Sequence, residues 1–132
     1  MAKQRVSEAR MGRLQIVNSL DGIGNLDYKG IRILARETWV ELDPRDPLAI
    51  DVYTALSLHR RYEVRALAAG YLVDIFRDGA EYGDPRKSRL WEDSSYSKLR
   101  NLLEMLMEEP DEAVKAALRH RNTNGYGVAL HD

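Results

Sequence analysis

Cationic side chains at helical spacing are the residues of this chain best suited to chemistry. Lys29, Arg32 and Arg36 recur at i, i+3 and i+7. At about 100° per residue they project within about 60° of one another and form one positive edge of a helix. Ile31, Leu34 and Ala35 stand opposite as an apolar face. A second group, Arg60, Arg61 and Arg65, adjoins Tyr62, and a third, Arg86, Lys87 and Arg89, precedes Trp91. Guanidinium groups beside aromatic rings suit phosphate contact combined with base stacking, so the chemistry expected is binding of DNA or RNA. A solvated helix face and ordinary surface packing account for the same residues. The Lys29–Arg36 helix follows a glycine turn, Asp21-Gly22-Ile23-Gly24-Asn25, and another predicted helix, the order of a helix-turn-helix unit. Asp27, Glu37 and Glu41 dilute its charge. With a formal net charge of −1, such contact has to come from local patches and not from global basicity.

Groups that make or break bonds are poorly arranged by comparison. His59, His120 and His131 lie far apart, without the i, i+4 pairing of a helical zinc site, so no metal is expected. Ser94, Ser95 and Ser97 sit where helix caps belong, and Asp111 and Glu112 where a helix dipole favours acids. Neither Gly22-Ile23-Gly24 nor Gly125-Tyr126-Gly127 completes a phosphate loop. No catalytic residue and no cofactor follow from these patterns. The segment Leu118-Arg119-His120-Arg121-Asn122-Thr123-Asn124-Gly125-Tyr126 resembles the active-site signature of HEPN-type helical ribonucleases, with Arg119 matching its arginine and Tyr126 its tyrosine. Asn124 stands where that family has its catalytic histidine, so the resemblance implies a degenerate ribonuclease-like domain lacking its acid–base group. An arginine-rich helix end closed by an Asn-Gly cap explains the same residues.

A different class of function rests on the tryptophans. As a protein-interaction module or inhibitor, the chain would dock on a larger partner or a second copy through exposed Trp39, Trp91 or its leucine-rich helix. Trp39 lies just off the inward face of its helix, and a core anchor is the competing reading of Trp91.

The elements that must position these groups are helical. Leu99, Leu102, Leu103, Leu106 and Met107 form one apolar stripe and predict a helix from about Ser95 to Glu108, with Asp93-Ser94-Ser95 offering capping oxygens. Pro110 opens a short helix to His120, with Val114, Ala117 and Leu118 inward. From Asp46-Pro47 to Asp78 the pattern is helical throughout, with a bend or break near His59 because one helix of that length would be unusual. Ile31, Leu34, Ala35, Thr38 and Leu42 define a helix from Leu26 to Leu42 that Asp43-Pro44 ends. Lys3 to Leu20 reads as helix, though Arg13-Leu14-Gln15-Ile16 also permits a strand. Ala80 to Glu92 reads as a charged loop, and the tail from Asn122 as irregular.

At 132 residues the chain suits one domain, burying roughly two-thirds of its unfolded surface in one core. The expected fold is mainly α, a compact bundle of about five helices. No apolar run approaches the roughly 20 residues of a membrane span, so no membrane partner is expected. The absence of cysteine excludes disulfides and suits a reducing, cytoplasmic setting.

Overall fold

A computed structural model of the chain describes residues 26–77 and 84–119. Among these the fold is mainly α, with five α-helices and no strand: α1 (Tyr28–Glu41), α2 (Pro47–Ser57), α3 (Tyr62–Arg77), α4 (Ser97–Met107) and α5 (Glu112–Arg119). Three short 3-10 turns, Pro85–Lys87, Arg89–Glu92 and Ser94–Tyr96, lead into α4.

Acidic side chains start three of the helices. Asp27 accepts a hydrogen bond from the Gly30 N–H at 2.8 Å to cap α1, and Asp46 accepts from the Leu48 N–H at 2.9 Å beside Pro47, whose fixed φ suits the first turn of α2. Asp111 does the same for α5, accepting from the Ala113 N–H at 2.8 Å. That helix therefore starts after Asp111 and not at Pro110. The face predicted for α1 is the buried one, with Ile31, Leu34, Ala35 and Thr38 inward and Leu42 buried just beyond.

α3 is the central element. It packs against α1, α2, α4 and α5, most extensively against α5. The predicted stripe of Val64, Leu67, Ala68, Tyr71, Leu72 and Ile75 is buried, and so are Ala66, Ala69, Gly70, Val73 and Phe76. A helix packed on more than one face is apolar beyond a single stripe, and alanine and glycine on its second face leave room for neighbours. One hydrophobic cluster joins residues from all five helices.

The break expected near His59 is present, between α2 and α3. Leu58 ends α2, and the His59 Nδ1 accepts from the Arg61 N–H at 3.0 Å, turning the chain. The stretch predicted as a charged loop is more structured than expected where it is described. Asp84 and Ser88 cap successive 3-10 turns, Pro85 is buried, and Trp91 meets Phe76 edge-on with ring centroids 5.1 Å apart. Asp93 likewise caps the Ser94–Tyr96 turn and not α4 itself, which begins at Ser97 without a side-chain cap. The predicted helix from Lys3 to Leu20, the glycine turn at 21–25, the predicted helix end at Asp78 and the tail from Asn122 lie outside the described residues.

Candidate nucleic-acid interface

Two of the three cationic groups meet. Arg32 on α1 and Arg61 in the α2–α3 turn both stand over the ring of Tyr28, with Cζ atoms 5.9 and 5.7 Å from its centroid. Tyr28 is the first residue of α1, so the Arg32 contact is an i, i+4 pair on one helix, whereas the Arg61 contact is tertiary. Lys29 and Arg36, on the same edge as Arg32, are exposed, as is Arg60.

The electrostatics agree with a positive surface. His59 is held below the ordinary imidazole range, first by burial and then by the charges of Arg61, Arg60 and Arg65, with Glu63 opposing. Burial pushes the hydroxyl of Tyr71, on α3, up, with Arg36 and Arg32 opposing and Tyr28 adding to the rise. Glu63 offsets part of the charge by pairing with Arg61 at 2.9 Å, and its carboxyl is held low by that bond.

Arg65 takes a different role from its neighbours. Its Nη1 donates to the carbonyls of His59 and Arg60, both at 2.9 Å, and its Nη2 pairs with Glu109 at 3.2 Å. The side chain is part-buried and its Nε has no partner. It clamps the α2–α3 turn to the link between α4 and α5, so it contributes field to the surface and not a free donor.

The remaining predicted residues lie elsewhere. Arg86, Lys87 and Arg89 sit in the 3-10 turns, and Arg86 and Arg77 line one cleft. That places this group at the C-terminal end of α3, a helix length away from Arg61. Neither tryptophan is exposed as the partner-docking expectation requires. Trp39 is part-buried with its ring 5.3 Å from Tyr71, and Trp91 is part-buried against Phe76 with its carbonyl accepting from Arg100 at 2.9 Å. Both serve the core because aromatic pairs bury area that solvent would otherwise wet. The leucine-rich helix is also spent inward, since Leu99, Leu103 and Leu106 are fully buried.

Sequence reasoning missed Tyr28, whose spacing to Arg32 is a readable signal, and the bond by which the His59 ring holds the turn. Among the described residues no group of three histidine or acidic side chains converges as a metal site would need. No described helix is long and apolar enough to cross a membrane. Of the segment resembling the HEPN signature, Leu118 and Arg119 are described and Asn124 and Tyr126 lie outside. Comparison with protein-family models, curated proteins and solved structures gives no match, and the functional reading is carried by the residues themselves.

Proposed function

We propose that this chain is a non-enzymatic helical accessory protein that contacts nucleic acid through α1 and the α2–α3 turn. One observation carries the reading: Arg32 and Arg61, from separate elements, converge on one tyrosine, which joins two cationic groups into one surface. Lys29, Arg36 and Arg60 are the exposed charges for phosphates. Tyr62, 47% exposed beside Arg61, supplies a ring for an unstacked base.

The test is fluorescence anisotropy with labelled single-stranded and duplex DNA and RNA across a salt series. Affinity is expected to fall steeply with salt, each neutralised phosphate adding about 0.7–0.9 to the logarithmic slope. Lys29→Glu, Arg36→Glu and Arg60→Glu together should flatten the slope by about 2–3 and leave the melting temperature nearly unchanged, since exposed charges add little to stability. No binding of any of the four probes at low salt would overturn the reading.

A further inference from the structure

The α2–α3 turn exposes apolar surface among its charges. Leu58, which ends α2, is 63% exposed, and Tyr62, which begins α3, is 47% exposed. They stand on either side of the turn His59-Arg60-Arg61, so two large apolar side chains in contact with solvent flank a run of cations. Exposed apolar groups rimmed by polar ones mark a surface that something else covers.

The two tyrosines near these cations differ in what is open to a ligand. Tyr28 is part-buried, and Arg32 and Arg61 already stand over its ring. Tyr62 has no ring or guanidinium partner among the described residues. The arginines divide in the same way. Arg61 is engaged by Glu63 at 2.9 Å and by Tyr28, and Arg65 by the turn carbonyls and Glu109. Arg60, exposed between Leu58 and Tyr62, is the guanidinium left for a phosphate. The backbone that presents it is fixed beforehand, because Arg65 Nη1 donates to the His59 and Arg60 carbonyls and the Arg61 N–H donates to His59 Nδ1. Binding therefore orders the ligand and a few side chains, but not the turn.

A duplex and a single strand meet such a surface differently. A duplex turns its phosphates outward and keeps its bases stacked inside, which would set Leu58 and Tyr62 against charged oxygens that need water. A single strand brings unstacked bases whose faces cover an aromatic ring while neighbouring phosphates reach a guanidinium. We infer that the preferred ligand of the nucleic-acid surface proposed above, on which this rests, is a single strand, with one base on Tyr62 and against Leu58 and its phosphate at Arg60. A duplex is held through phosphates alone and more weakly. Every base has a π-face, so sequence preference is slight.

Anisotropy of the full chain with a fluorescein-labelled thymidine strand of about ten nucleotides tests this, against the same strand paired with its complement and an abasic strand of equal length. Charge density alone favours the duplex, so a preference for the strand reports on its bases. The thymidine strand should bind at least about fivefold more tightly than either alternative, the low end for one stacked base. Tyr62→Ala should bring it down to the abasic level with an unchanged salt slope, Tyr62→Phe should restore it, and neither should alter duplex affinity. A duplex or an abasic strand bound as tightly as the thymidine strand would overturn the inference, as would full strand affinity in Tyr62→Ala. The comparison of the three probes uses the native chain and stands whatever the variants do to folding. Binding of no probe defeats the nucleic-acid surface and this inference with it, whereas an equally bound duplex defeats this inference alone. A uridine strand run alongside assigns the preferred sugar, either order of the two strands above the duplex being in support.

Discussion

His59 shows how one residue's surroundings set its behaviour. Its ring nitrogen accepts the Arg61 N–H while three arginines face it, so a proton there meets repulsion and removes the acceptor that turns the chain. The folded pKa lies below the ordinary value of about 6.5, so between the two the unfolded chain binds the proton and the folded one does not. Stability is therefore expected to be full above about pH 6.5 and to decline as the pH falls toward the folded value. Thermal melts of the native chain and of His59→Gln between pH 7.5 and about pH 5 check this, because the variant lacks the histidine proton and should lose that part of the decline. Asp43 behaves differently at the end of α1. The Arg45 side chain and N–H hold its carboxyl down at about 2, so its bond persists well into acid. It leaves the decline near neutrality to His59.

At the scale of elements, helix ends and helix faces contribute unequally. Asp46→Ala removes the oxygen that accepts the Leu48 N–H and should cost about 1 kcal/mol. Leu103→Ala empties a fully buried position in α4 and should cost about 2–5 kcal/mol. Urea denaturation of both variants would rank them, and a cap loss equal to the core loss would contradict the architecture. The same contrast explains what could be read from sequence. The stripes of α1 and α4 and the cap at Asp46 were legible because a period of 3.6 and a carboxylate before proline are local signals. The burial of a second face of α3 was not, since Ala66, Ala69 and Gly70 are small enough to fit either a wet or a packed face. The turns at 84–92 hid behind charged residues that face solvent while Pro85 and Trp91 face inward. Of the candidate surface, the Lys29–Arg36 edge was visible by angle. Its junction with Arg61 was not, because it depends on how α1 meets the turn.

For the whole molecule, charge is partitioned and not merely balanced. A formal net charge of −1 conceals a local positive cluster about Tyr28, where Arg32 and Arg61 meet over one ring. α3 runs away from that cluster, packed by the four other helices, and at about 1.5 Å per residue its sixteen residues span about 24 Å. Phosphates along one strand of a duplex recur about every 3.4 Å, so a strand laid along the whole of α3 would cover roughly seven base steps. With the proposed interface confined to the start of that helix, anisotropy with duplexes of graded length should show affinity levelling below about seven pairs; a rise that continues beyond that length would mean that more of the molecule engages. On the proposed reading, the length of the central helix is thus an upper bound on the footprint.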